Sequence, residues 1–158
     1  MRDLKRLYSN LNLNSIEWIT VGWLTVGLIG FVDAAYLTIQ HYRGASLDCY
    51  LLSGCEEVTT SRYAAIGSIS IALLGALYYL SIILLSAAYL DTKRNWLLTM
   101  ISSLTTAGFL VSTFLVYLQI FVLHALCSYC LLSAFVAAAL FVLAVILARI
   151  SGKPTVSS

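Results

Sequence analysis

The sequence predicts an all-α integral membrane protein, folded as a four-transmembrane-helix bundle with an extracytoplasmic cap segment between helices 1 and 2. Three observations predict this class. Of the 158 residues, 61% are hydrophobic and 10% are charged, a composition typical of a chain surrounded by lipid. The apolar residues form four long runs, and basic residues gather at the termini and after the second run. The net charge of +2 gives no indication of a nucleic-acid partner.

Each apolar run is long enough to cross a bilayer. The hydrocarbon layer is about 30 Å thick and a helix rises about 1.5 Å per residue, so about 20 residues suffice. The predicted spans are residues 16–40, 64–90, 96–121 and 126–150. The first run is too long for the apolar part of a signal peptide, so we expect it to be retained. Residues 1–158 are expected to form a single membrane domain.

Lysine and arginine predict the orientation, because they concentrate in cytoplasmic loops. The basic residues at the termini and after the second span are Arg2, Lys5, Arg6, Lys93, Arg94, Arg149 and Lys153. Both termini are therefore expected in the cytoplasm of a plasma-membrane protein, with the cap, residues 41–63, outside. The four cysteines, Cys49, Cys55, Cys127 and Cys130, then lie at the oxidising side, where disulfide chemistry operates.

The segment Cys127-Ser128-Tyr129-Cys130 carries two thiols at the start of the fourth span. Positions i and i+3 share a helix face, so these sulfurs can form and break a disulfide with little backbone movement. The positive end of the helix favours a thiolate at Cys127. A second interpretation is that both cysteines are small buried hydrophobes in a membrane helix.

A second pair, Cys49 and Cys55, lies in the cap. A permanent bridge closing such a small loop would contribute roughly 2–3 kcal/mol, which adds little to four packed membrane helices. A bridge that opens and re-forms is therefore favoured. Ser61 either caps the helix expected to begin near Ala64 or belongs to the site.

Three polar residues have two interpretations each. Asp33 lies well inside the first span, where an ionised carboxylate is unfavourable. It either donates a proton to a reduced cofactor or fixes helix packing through a hydrogen bond. Gln119 and His124 flank the outer turn, either as interfacial anchors or as contacts of the redox site or a cofactor.

Small residues in the second and third spans predict close helix packing. They are Gly67, Gly75, Ala76, Ala107 and Gly108. The aromatic residues Tyr78, Tyr79 and Phe109 either fill the core or line a slot for a flat ring.

Two thiol pairs on one side of a membrane, with no other reactive motif, indicate a two-stage thiol relay. The outer pair would exchange with a soluble protein dithiol and pass electrons to Cys127 and then to Cys130. An acceptor within the bilayer is then needed, and a lipid quinone such as ubiquinone or menaquinone takes two electrons and two protons. The sequence contains no flavin or haem signature and no recognisable set of metal ligands.

These motifs resemble those of the vitamin K epoxide reductase family, and most closely those of its prokaryotic members. The resembling segments are Cys49, residues 55–63 (CEEVTTSRY), residues 117–119 (YLQ) and residues 127–133 (CSYCLLS). The resemblance extends over most of the chain, from about residue 23 to residue 150. It implies a four-helix bundle around a quinone, with a thioredoxin-like protein as the electron donor.

The resemblance also implies a role for each site residue. Cys49 would meet the thioredoxin-like partner, and Cys55 would pair with Cys127 during transfer. Cys130 would contact the quinone, and Ser61 would lie next to the site. Some bacterial relatives carry a fused thioredoxin-like domain; here the partner is expected to be a separate soluble protein.

Two comparisons refine the resemblance. The animal enzymes hold the oxygens of the quinone or epoxide with a cap asparagine and a tyrosine four positions past the CxxC segment. Ala134 stands at the latter position here, and the cap has no convincing equivalent asparagine, which disfavours epoxide reduction. The disulfide-forming oxidases of the bacterial inner membrane carry their CxxC in the first outer loop, the reverse of the order here.

The predicted function is quinone-dependent oxidation of a thioredoxin-like partner, which supports disulfide formation in exported proteins. Three alternatives stay open. A quinone or vitamin K epoxide reductase would use the same relay. A membrane scaffold stapled by two permanent disulfides would need no partner, and a zinc site built from the four cysteines would need no quinone.

Overall fold

Four long helices dominate the computed structural model, which describes residues 2–43, 65–66 and 69–151, with the side chains of residues 15–43 and 70–150. The helices are α1 (Arg2–Arg43), α2 (Ile71–Thr92), α3 (Asn95–Leu118) and α4 (Ser128–Ser151). In the described part of the chain, four stretches are long and apolar enough to cross a membrane, one on each helix, and the third continues past the end of α3. The predicted four-helix membrane bundle is confirmed.

The outer surface of the bundle is apolar. The side chains of Leu84, Leu110 and Phe135 are 60%, 63% and 73% exposed. Such a surface is unfavourable in water and stable in lipid, whereas the helices satisfy their own backbone hydrogen bonds. In the interior, α1 packs against α2 and α4, and α3 packs against the same two helices.

Hydrogen bonds from buried side chains join α4 to α1 and α2. The fully buried Trp23 of α1 donates its indole Nε1–H to the backbone carbonyl of Leu140 at 3.1 Å. The hydroxyl of Tyr79 in α2 donates to the backbone carbonyl of Ser133 at 2.8 Å. Because neither donor can reach water in a membrane interior, these partners make their burial possible.

The second helix begins later than predicted. The helix was expected to begin near Ala64. The chain instead forms two strands of two residues each, β1 (Ala65–Ile66) and β2 (Ile69–Ser70), which pair antiparallel. The Oγ of Ser70 then accepts a hydrogen bond from the N–H of Ala72 at 3.2 Å and caps α2. The apolar character of this stretch suits strand and helix equally.

Of the two interpretations of Ser61, the one in which it caps the second helix is wrong, because Ser70 has that position. Ser61 itself lies outside the described residues.

The third helix ends in a wider turn than an α-helix makes. After α3 the chain continues as a π-helical turn, Gln119–Leu123, beyond the predicted end at residue 121. His124 takes a left-handed conformation, with φ of 49°, and terminates the turn. The N–H groups of His124 and Ala125 both donate to the backbone carbonyl of Gln119. The fourth helix then starts at Ser128 and not at residue 126.

Glycines allow two close approaches between helices, and the one at Gly108 lies at a predicted small residue. A Cβ atom on Gly108 would overlap the ring and hydroxyl of Tyr78, whereas one on Gly75 would make an ordinary contact with Ala34 at 3.7 Å. The other close approach was not predicted: a Cβ atom on Gly30 would lie 2.5 Å from the ring of Tyr79. These helices can approach each other only where no side chain intervenes. Gly67 lies outside the described residues.

Substitution Gly30→Ala should destabilise the bundle, because the added methyl group forces the hydrogen-bonded ring of Tyr79 to move. We expect a loss of about 1–3 kcal/mol, the usual cost of overpacking, measured as reversible unfolding in detergent. Gly27→Ala is the matched control, since its Cβ would meet the Ile83 side chain at 3.4 Å. Equal stability of the two variants would contradict this account of the contact.

Candidate functional site

Cys127 and Cys130 lie together at the N-terminus of α4. Both are free thiols in the structure. The carbonyl of Cys127 accepts a hydrogen bond from the N–H of Leu131 at 3.0 Å, and its Sγ accepts one from the N–H of Cys130 at 3.3 Å. The Cys127 sulfur therefore takes the position that a serine or aspartate oxygen usually has at a helix N-cap.

The surroundings of Cys127 favour its thiolate. A hydrogen bond with the thiol of Cys130 lowers the pKa of Cys127, and the N–H groups of Cys130 and Tyr129 act in the same direction. Burial and the negative charge of Asp33 oppose this effect without outweighing it. The net lowering agrees with the prediction that the helix start favours a thiolate at Cys127.

Gln119 holds Cys127 from the opposite side. Its side chain is 4% exposed, and its Oε1 accepts a hydrogen bond from the N–H of Cys127 at 3.2 Å. Of the two interpretations of Gln119, the contact with the redox pair is the one that the structure supports. The side chain of His124, by contrast, is exposed, and this residue contributes through its backbone conformation.

A cavity of about 500 Å³ opens next to Cys130. Its lining comes from all four helices and is mainly apolar; Ala134 is among the lining residues. Polar lining residues include Ser70, Tyr78, Tyr79, Gln119, Cys130 and Ser133. A mainly apolar cavity of this size with a few polar groups is typical of a binding site for a small organic molecule.

The aromatic residues have different positions relative to the cavity. Tyr78 and Tyr79 line it, with ring centroids 5.0 Å apart, and Tyr79 also forms a 2.9 Å hydrogen bond with Ser133 Oγ. Phe109 instead stacks on Phe141 with 4.7 Å between centroids, in the contact between α3 and α4. Both tyrosines therefore line the cavity, and Phe109 is a packing residue.

Asp33 is buried near the redox pair. Its Oδ2 atom has no hydrogen-bond partner among the described residues, so this atom does not make the packing hydrogen bond that one interpretation requires. Its charge acts on Cys127, as the opposing effect on the pKa of that thiol shows. Asp33 is therefore close enough to influence the pair, and its proton-donor role stays a prediction.

The structure brings together one of the two predicted thiol pairs. Cys49, Cys55 and Ser61 lie outside the described residues. In the described part of the chain, no group of three or more His, Cys, Asp and Glu side chains is placed to hold a metal ion.

Sequence reasoning missed Ser70 as a lining residue. Nothing in the sequence distinguished Ser70 from the other serines near the spans.

Comparison with protein-family models gives a match to the vitamin K epoxide reductase family over residues 22–145. This range contains most of the membrane-spanning part of the chain, the thiol pair of Cys127 and Cys130, and the whole cavity lining. Among curated proteins, none matches the chain. The match spans more than half of the sequence and agrees with the fold and with the cysteine pattern, so the chain belongs to the vitamin K epoxide reductase family.

Proposed function

We propose that this protein is a quinone-dependent thiol oxidase that reoxidises a soluble thioredoxin-like partner, so that exported proteins acquire disulfides. Members of its family are oxidoreductases. The observation that carries the proposal is the position of Cys130, which is hydrogen-bonded to Cys127 and also lines the cavity. A pair of thiols thus borders a membrane cavity suited to a flat organic ring.

In the proposed relay, the disulfide between Cys127 and Cys130 is attacked at Cys127 by a thiolate of the outer pair. A mixed disulfide of Cys55 with Cys127 forms, and Cys130 is released as a thiol. Cys49 then attacks Cys55, closes the outer disulfide and releases Cys127 as a thiolate. A thiol of lowered pKa is the better leaving group, so the environment of Cys127 favours this release.

Re-forming the disulfide from the Cys127 thiolate and the Cys130 thiol removes two electrons and one proton from the pair, so the second proton that the acceptor takes up comes from outside the pair. A lipid quinone such as ubiquinone or menaquinone supplies the matching chemistry when bound, since it takes up two electrons and two protons. The cavity fits such a group in its volume and apolar lining. Cys130, Tyr78 and Tyr79 are among the residues that would surround it.

The arrangement of helix ends supports one membrane face for both pairs. Leu37, near the end of α1, packs in one cluster with Ala125 and Cys127, and Ala72 at the start of α2 packs against it. The segment that carries Cys49 and Cys55 joins these two helices. We infer that this face is extracytoplasmic in the plasma membrane, with both termini in the cytoplasm, from the basic residues near the other ends of the spans.

The function is tested by quinone reduction with the purified protein, a short-chain ubiquinone and dithiothreitol. The wild type should reduce the quinone, and Cys127→Ser and Cys130→Ser should each abolish the reaction, because neither variant can form the inner disulfide. Ser128→Ala is the matched control, since Ser128 Oγ has no hydrogen-bond partner among the described residues. Full activity in either cysteine variant would overturn the proposal.

The relay order predicts a selective defect for Cys49→Ser. This variant should retain quinone reduction with dithiothreitol, because a small dithiol can reach the inner pair directly. With a reduced thioredoxin-like protein as the donor, the rate should fall to the background level. Wild-type oxidation of the protein donor by Cys49→Ser would show that the assigned order is wrong.

A further inference from the structure

We propose that Gln119 has two functions in the site: its side-chain oxygen holds Cys127, and its side-chain nitrogen donates a hydrogen bond to a ring oxygen of the bound quinone. This inference rests on the proposed function and names a residue that recognises the quinone. It rests on the position of one buried carboxamide, which contacts the thiol pair and also lines the cavity.

The orientation of the carboxamide follows from its partner. The backbone N–H of Cys127 can only donate, so the group facing it at 3.2 Å must be the oxygen of Gln119 and not its nitrogen. Because the two polar atoms of a carboxamide diverge, Nε2 points away from Cys127. Gln119 lines the cavity, so this N–H donor can face a ligand bound there.

Gln119 is only 4% exposed, and it lines the cavity. Buried polar groups generally find a hydrogen-bond partner. The surrounding wall is mainly apolar, so a bound molecule with an acceptor oxygen would supply a partner for the Nε2 donor. A quinone presents two carbonyl oxygens and no donor of its own, which matches the group that Gln119 offers.

Backbone hydrogen bonds around Gln119 fix the position of this side chain. Its carbonyl accepts from the N–H groups of His124 and Ala125, and this double acceptance closes the π-helical turn. π-helical turns inside α-helices are frequent at functional sites. The turn returns the chain from Gln119 to Cys127 within eight residues, so the amide and the thiol pair keep a fixed relation.

The hydrogen bond would also act during electron transfer. Negative charge develops on the ring oxygens as the thiol pair is oxidised, and a fixed N–H donor stabilises such charge. The same side chain fixes the backbone of Cys127. Loss of Gln119 should therefore weaken quinone binding and also disturb the position of the reacting pair.

The test uses Gln119→Met, which keeps the length of the side chain and removes both the N–H donor and the oxygen that accepts from Cys127. The dissociation constant of a short-chain ubiquinone should rise about tenfold, the effect of one lost hydrogen bond. Gln40→Met is the matched control, because Gln40 donates its amide to the hydroxyl of Tyr36 at an exposed position and does not line the cavity. Its quinone affinity should equal that of the wild type.

Infrared spectroscopy with a carbonyl-labelled ubiquinone gives a readout that is independent of turnover. In the wild type, the labelled carbonyl stretch should lie at lower wavenumber than that of the quinone in detergent alone, because hydrogen bonding weakens the C=O bond. The shift should disappear in Gln119→Met. An unshifted band in the wild type overturns the inference even if the variant fails to fold.

The inference and the proposed function fail in different ways. If the wild type reduces the quinone but Gln119→Met keeps both its affinity and its shifted band, the role of Gln119 is wrong and the thiol oxidase proposal stands. If the wild type shows no saturable quinone binding, both are overturned.

Discussion

The hydrogen bonds that converge on Cys127 are the constraint on which the rest of the site depends. Its sulfur accepts a hydrogen bond from the N–H of Cys130, and its carbonyl accepts one from the N–H of Leu131. Its own N–H donates to the side-chain oxygen of Gln119. At a buried helix start within a membrane, water cannot satisfy these groups, so the protein must supply each partner. The bonds that start α4 therefore also stabilise the thiolate and set Cys130 against the cavity.

Hydropathy predicted the four spans because it sums over many residues, and a lipid-facing helix must be apolar along most of its length. Helix ends were predicted less well, because they depend on single capping groups. The apolar stretch before Ile71 suits both a strand and a helix, and the choice is made by the β1–β2 pairing and the Ser70 cap. The π-helical turn after α3 depends on two N–H groups sharing one carbonyl, which no periodicity reveals.

The thiol pair could be predicted because its chemistry depends on spacing within one helix turn. For Gln119 the sequence left two interpretations open, because contact with the redox pair requires the turn to bring residue 119 back to Cys127. The cavity is a property of the bundle, since its wall combines residues from four helices. Asp33 was recognised as unusual from its place in a span, and its Oδ2 has no hydrogen-bond partner among the described residues.

The central claim is that Cys130 lowers the pKa of Cys127 and so favours its thiolate, and its most direct test is the pH titration of thiolate ultraviolet absorbance in the reduced protein. The difference between the wild type and Cys127→Ser isolates the signal of Cys127. The account predicts a midpoint below the ordinary cysteine value of about 8.5, and a higher midpoint when Cys130→Ala removes the hydrogen bond. A midpoint at or above the ordinary value, unchanged by Cys130→Ala, would contradict it.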